Sequence, residues 1–456
     1  MSLHHVHLVG TPLLIVFGVM AACSSAHSQT TAMSTVPGSA EAVSIDSTFV
    51  SPAPIATSEE LTDRDIGWRG DLNRIIPAMS DIHPNLFHGT TRAGLEASVA
   101  ELSSRVPMAT DDELMVGVLR IVASIGAGGC EGHTGVFVWG TGTYPVDSLP
   151  LRLWLFDAQL VIVDALAPYE SLIGARIDSI DGHPIADVLA AVEPLVSRDN
   201  DQTIRLVTPR LVLIPQVLRG LGLAGDGPVS LRVSPLVGDG QSIAIDPIPM
   251  AEYNGWAGPY GLHLPTDPDV LYLSRIGEAL WWEVLPDGRT LFVQYNRVDR
   301  LASSQLADLK AALHGQGVER VILDIRHNYG GELSALSAIE PLFTDPAVDR
   351  SGALFVLTGR NTFSAGSLLV ARLQRDTAAV LVGEPMSGCP TTWGDSSEFT
   401  LQHSGLAIDV ASEFSVGIDK GDDRLTIEPD VPAVLTLQDW VDGVDPALEA
   451  AMAVGR

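Results

Sequence analysis

Between residues 270 and 456, apolar runs of strand length alternate with stretches of helical period, and this alternation constrains the fold more than any other feature. TLFVQYNRV is followed by SSQLADLKAALHG and then RVILDIR; further on, LFVLTG is followed by SAGSLLVARLQ. Short, wholly apolar runs suit strands buried on both faces, and strand–helix–strand connections build parallel sheets. In such sheets chemistry gathers where strands end and helices begin. Upstream the pattern changes. WRGDLNRIIPAMSDI, RAGLEASVAELSSRV and LMVGVLRIVASI read as helices, the first bent or ended by Pro77 and the third capped by Thr110-Asp111-Asp112-Glu113. Residues 133–250 read as β-rich, with GVFVW, LRLWLF and QLVIVDAL as strands between Gly, Pro and Asp turns. Inside them LIGARIDSIDGHPIADVLAAVEPL reads as strand, Asp181-Gly182 turn, strand and helix.

The amino-terminal segment sets the compartment. From Leu8 to Ala22 runs LVGTPLLIVFGVMAA, too short to cross ~30 Å of hydrocarbon as a helix, with small residues and Cys23 directly after it. This is the form of a secretory signal. The setting of Cys23 is similar to a bacterial lipobox, although Met20 stands where Leu is usual and the first residues carry histidines rather than Lys or Arg. The expectation is export across the bacterial cytoplasmic membrane, with Cys23 as the lipidation site anchoring the chain at the cell envelope; plain secretion is the alternative. Residues 24–58, rich in Ser, Thr, Ala and Pro, read as a flexible tether. The expected organisation is therefore α/β in an α+β multidomain chain. It comprises 1–22 signal peptide, 23–58 tether, 59–130 N-terminal helical domain, 131–269 β-rich middle region and 270–456 α/β domain.

Charge narrows the partners. Against 27 Lys+Arg stand 56 Asp+Glu, a formal net charge of −29. Such a surface repels phosphate backbones, which excludes nucleic acid as a primary partner, and leaves membrane contact to the lipid anchor alone. Lysine occurs only at Lys310 and Lys420. There is no HExxH, no CxxC and no His/Asp cluster at ligand spacing in the chain, so neither metal nor cofactor is expected.

Three segments could carry chemistry. In LFVLTGRNTFSAGSLLVARLQ, Ser364 stands where a strand gives way to a helix, and the helix N-terminus offers unpaired N–H groups to an oxyanion. The plain alternative is a helix N-cap. It is not a G-x-S-x-G elbow, because Thr362 occupies the first glycine position. In VILDIRHNYGGELS a buried strand delivers Asp324, Arg326 and Asn328 to its end, where Gly330-Gly331 lets backbone amides approach a ligand, or simply makes a turn. In ASIGAGGCEGHTGVFVW, His133 follows a glycine-rich turn at the mouth of an expected strand. His83 and His88 read as loop or surface residues, and His327 is the rival to His133. Cys130 and Cys389 either pair, as an exported chain allows, or are unrelated thiols.

The SAG serine segment, DIRHNYGG, LVGEP, the GHT histidine and the terminal EPDV, in this order, resemble the tail-specific (C-terminal-processing) serine protease family, which includes the tricorn core protease. The resemblance implies a C-terminal protease domain of the ClpP/crotonase-like type, a PDZ-like segment at LIGARIDSIDGHPI, and hydrolysis of peptide or protein substrates without a cofactor. One branch of the family pairs its serine with a lysine about 25 residues downstream; here that position is Cys389. The tricorn-like branch uses a histidine from an upstream glycine-rich turn, which His133 matches, with Gly132 standing where that type has a serine. By this resemblance Ser364 is the nucleophile, His133 the general base and Asp423 the carboxylate that orients it. Ala365 with Gly330 or Gly331 supplies the oxyanion hole, and Asp324 with Arg326 forms a supporting ion pair. A non-catalytic relative that binds peptides or apolar ligands, and an esterase using the same triad, are the alternatives.

Overall fold

The computed structural model describes residues 61–140, 142–258 and 264–454. Cys23, the signal segment and the tether lie outside the described residues. No helix of those described is long and apolar enough to cross a membrane.

Three helices open the described chain: α1 (Asp63–Ile82), α2 (Arg92–Arg105) and α3 (Asp111–Ala123). Thr62 with Asp65 and Thr110 with Glu113 form capping boxes at α1 and α3, each satisfying two backbone donors that the helix start leaves open. Pro77 does not end α1, which runs on to Ile82. The middle region forms a six-stranded antiparallel sheet from the segments Leu151–Phe156, Gln159–Ala165, Arg176–Ile180, His183–Pro184, Val229–Ser234 and Gln241–Ile245. Asp181 and Gly182, both at positive φ, turn the chain between two of its strands, and the helix Ile185–Val192 follows as the sequence suggests.

Two expectations change here. GVFVW is not a strand: the segment is irregular and touches a ladder only where Gly135 bridges Asp409. The middle region is also less β-rich than expected, because helices occupy Asp201–Val212, Pro215–Gly220 and Met250–Ala257. Nor do residues 59–130 and 131–269 keep separate interiors. Trp68, Leu72 and Leu119 of the helices share one apolar cluster with Leu151, Ile162 and Leu231 of the sheet. That cluster also takes in Leu401, Leu406 and Ile408 from far along the chain.

The C-terminal part is the α/β unit the alternation predicts. Thr290–Tyr295, Arg320–Asp324, Leu354–Thr358, Val380–Gly383 and Val431–Pro432 run parallel in that spatial order, and Leu280–Val284 adds an antiparallel edge. Apolar side chains cover both faces. Leu323, Val356 and Leu369 lie in one cluster, and Phe292, Ile322 and Phe355 in the other. A long hairpin, Thr391–Thr400 against Ala407–Val416, leaves this unit and reaches the amino-terminal core. Asp71 of α1 accepts the backbone N–H groups of His403 and Ser404 at its tip. The glycine-rich turn before His133 is thereby brought across the ends of the parallel strands.

Candidate active site

The nucleophile candidate sits where the parallel sheet exposes its carboxyl edge. The strand Leu354–Thr358 is buried throughout, and the helix Ala365–Asp376 begins seven residues after its end (365 − 358). Ser364 occupies the N-cap position, yet its side chain makes no capping hydrogen bond. Its backbone is at φ 53° and ψ −129°, a region that costs a non-glycine residue about 1–3 kcal/mol. This conformation turns Oγ away from the helix and towards His133, whose Nε2 lies 3.0 Å from it. A serine used only as a cap would show neither feature.

The strained turn is held from below by Asn328. Its amide donates to the Tyr295 carbonyl, its Oδ1 accepts the Gly330 N–H at 2.8 Å, and its own carbonyl accepts the Phe363 N–H. Gly330, at φ 98°, packs so closely that a Cβ there would stand 2.5 Å from Ser364 Cβ. Because Asn328 takes the Gly330 N–H, that amide is committed. The Ala365 nitrogen lies beside it, 2.8 Å from where a Cβ on Gly330 would stand, and Gly331 packs against Val298. Asp324 and Arg326 form the expected ion pair at 2.8 Å, and Arg326 also grips Asp445 at 2.7 Å. Burial alone would depress the Arg326 guanidinium, but the two carboxylates hold its pKa well above the ordinary value. This cluster ties the C-terminal helix Pro446–Ala453 to the sheet and stays out of the chemistry.

His133 lies in a turn stapled at several points. Its ring stacks on Phe363, centroids 4.6 Å apart, and a Cβ at Gly394 would come 3.8 Å from its Cε1. Cys130, three residues earlier, is joined to Cys389 by a disulfide with Cα atoms 5.5 Å apart. The position where a lysine base would stand therefore carries a covalent brace. Lys310 and Lys420 are both exposed. His327 stacks on Tyr272 in a cavity lined also by Arg360, Asn361 and Glu384. The histidine bonded to Ser364 is His133.

Asp423 does not join them. It is exposed, and His133 Nδ1 is buried without a hydrogen-bond partner. The carboxylate against the turn is instead Asp199, fully buried. Its Oδ1 accepts the Gly132 N–H at 2.6 Å, its Oδ2 accepts the Cys389 N–H at 2.9 Å, and Thr392 Oγ1 lies within 3.3 Å of both oxygens. Burial pushes the Asp199 carboxyl above the usual carboxylate range, while the nearby His133 and the backbone donors pull it back. Sequence reasoning missed it, because SRDNDQT reads as an ordinary polar approach to a helix start.

A second cluster surrounds the same turn. His83 and His88 both aim Nε2 at Oε2 of Glu131, at 3.2 and 2.8 Å, and Thr134 donates to the other oxygen. Both histidines lie in the loop after α1, as expected, but His83 is buried and His88 only partly exposed. Burial pushes Glu131 up, but these donors outweigh it and hold the carboxyl below the ordinary range. The three side chains could converge on a metal ion. However, the Asn85 N–H donates to His83 Nδ1 at 2.9 Å, so the His83 ring proton belongs on Nε2, pointing at Glu131. That tautomer fits a hydrogen-bonded carboxylate and does not fit a metal ligand.

Comparison with known proteins bears on the segment that ends at the paired glycines and on the fold. Residues 289–350, which carry the strands leading to Asn328 and the paired glycines, match peptidase family S41. Carboxyl-terminal-processing peptidase 3, chloroplastic, of Arabidopsis thaliana is 27% identical over 190 residues, which is 36% of this chain and 36% of that protein. The chain thus matches about a third of that relative's length. In three dimensions the chain is similar to mature CPAF, with a TM-score of 0.55 at 12% identity, covering 86% of this chain and 97% of that one. The complex of mature CPAF with lactacystin gives 0.56 at 12% identity, covering 86% and 98%. At such low identity the likeness is one of fold. Residues 289–350 are thus similar to peptidase family S41, within a chain whose fold is similar to that of mature CPAF.

Proposed function

We propose that the protein is a serine endopeptidase in which Ser364 is the nucleophile and His133 the general base. The observation that carries this reading is the Ser364 side chain. It is held at positive φ, spared from capping, and placed 3.0 Å from His133 Nε2. A hydroxyl becomes an effective nucleophile when a neighbouring imidazole accepts its proton. Ser364 Oγ attacks the scissile carbonyl carbon as its proton passes to His133 Nε2. The carbonyl oxygen, now negative, is met by the N–H of Ala365 at the start of the helix and by that of Gly330 or Gly331 in the neighbouring loop. Collapse of the intermediate returns the proton to the leaving amine and leaves an acyl-enzyme, which water hydrolyses by the same route. Peptides or proteins are the substrates this chemistry serves.

We also propose that the chain works outside the bacterial cytoplasmic membrane, lipid-anchored through Cys23 or secreted. The Cys130–Cys389 disulfide supports an oxidising compartment.

A fluorophosphonate probe tests the mechanism. The protein should be labelled stoichiometrically, and Ser364→Ala should abolish labelling while leaving the melting temperature close to that of the parent. Absence of labelling in the folded parent protein would overturn the catalytic reading.

A further inference from the structure

We propose that Asp199 is the positioning carboxylate for His133, holding the turn that carries the base and accepting its Nδ1–H as the imidazolium forms. The inference rests on the reading of His133 as the general base.

The geometry that leads to it is a matter of counting donors. An ionised carboxylate offers about four acceptor sites. Asp199 receives one donor from Gly132, the residue before His133, one from Cys389, and at most one from the single hydroxyl proton of Thr392. One acceptor site is left over. On the other side, His133 Nδ1 is buried with no partner, while Nε2 is taken by Ser364. A half-buried imidazole with one nitrogen on the nucleophile and the other unmatched follows directly on Gly132, whose N–H is held by a buried carboxylate that has one lone pair unspent and whose charge the ring favours. The remaining ionisable groups about the turn are engaged elsewhere. Glu131 is occupied by His83, His88 and Thr134, and Asp409 lies opposite Glu398 in the hairpin ladder.

The chemistry needs no new reactant. When Ser364 Oγ loses its proton to Nε2, the ring becomes a cation whose Nδ1–H must donate somewhere. Asp199 accepts that hydrogen bond while the proton stays on nitrogen, and its negative charge offsets the imidazolium. The buried acid is reluctant to ionise alone, so its charge is favoured most when the ring is positive. The Cys130–Cys389 bridge joins the two ends of the arrangement, because the Cys130 N–H donates to the Asp199 carbonyl and the Cys389 N–H to its side chain.

The test is the pH profile of fluorophosphonate labelling of Ser364 in the parent protein and in Asp199→Asn. Loss of the charge should lower the plateau rate by about 10²-fold or more. It should also move the acid limb to lower pH by about one unit or more, because the base no longer has an anion beside it. A reduced plateau with the limb unmoved would mean a purely structural role and would overturn the proposal, as would an unchanged rate. His133→Ala separates the two readings. Labelling at the parental rate there removes the base itself and this inference with it, whereas loss of labelling leaves the Asp199 profile to decide. Should Asp199→Asn fail to fold, the parent phosphonyl adduct, made with 15N-histidine, decides the matter by NMR. The expected signal is a strongly deshielded, slowly exchanging His133 Nδ1 proton; its absence refutes the hydrogen bond to Asp199.

Discussion

Reduction of the Cys130–Cys389 bridge is the perturbation whose size the structure sets most directly. The two cysteines are 259 residues apart in sequence, so the bond closes a loop that spans more than half of the chain. In the chain-entropy description a loop of that length removes about 5–6 kcal/mol of freedom from the unfolded state at 25 °C, and native disulfides deliver about 2–5 kcal/mol on removal. Taking about 4 kcal/mol, with an unfolding slope of about 3 kcal/mol/M in urea, the midpoint should fall by roughly 1–1.5 M. The assay is urea unfolding followed by tryptophan fluorescence with and without a phosphine reductant, the thiols being counted at each point. Reduction should expose two additional thiols. A local effect accompanies the global one, because Trp393 donates to the Cys130 carbonyl and Cys389 donates to Asp199. Freed from its brace, the His133 turn should label with fluorophosphonate several-fold more slowly at urea concentrations far below the midpoint. If two new thiols appear and the midpoint stays within 0.2 M or so, the loop-closure reasoning is wrong for this chain.

Gly330→Ala should lower labelling and peptide turnover by at least ~10³-fold, because the new Cβ would stand 2.5 Å from Ser364 Cβ and 2.8 Å from the Ala365 nitrogen. Turnover within tenfold of the parent would refute the tight approach of the two loops. Asp409 gives a pH test: burial, reinforced by Glu398 across the hairpin, raises its pKa from 3.8 to about 6. The folded state then binds more protons than the unfolded one between pH 4 and 6, so stability should fall as pH rises through that window and level off above it. The rise corresponds to about 3 kcal/mol before screening, and to about 1–2 kcal/mol for a half-buried group. Asp409→Asn should therefore be more stable than the parent at pH 7 and equal to it near pH 4 in urea unfolding; equal stability at both pH values counts against the assignment.

The features legible in the sequence are those written in adjacent residues. The strands Arg320–Asp324 and Leu354–Thr358 are continuous apolar runs with turn chemistry behind them, and the capping boxes of α1 and α3 mark helix starts outright. GVFVW misled because an apolar run of five satisfies strand and irregular core alike; its burial comes from the hairpin that arrives 270 residues later, at Asp409. The helix Asp201–Val212 was hidden by Pro209 and by β-branched Thr203, Ile204, Val207 and Thr208, although Asn200 and Thr203 form a capping box at its start. The site divides in the same way. Ser364, His133 and the paired glycines sit in local motifs, so each could be nominated; whether they meet is a long-range question. The carboxylate shows why nomination can fail. Spacing from the serine led to Asp423, an exposed residue, because spacing carries no record of burial. Asp199 is distinguished only by the donors that converge on it, from Gly132 and from Cys389 and Thr392, two segments each far from it in sequence. The same convergence explains Cys389. A family pattern read position by position says only that the lysine is missing there. In the fold Cys389 is bridged to the turn that carries His133, and its N–H donates to Asp199. Both contacts join residues far apart in sequence, so neither can be read at position 389 until the chain is closed on itself.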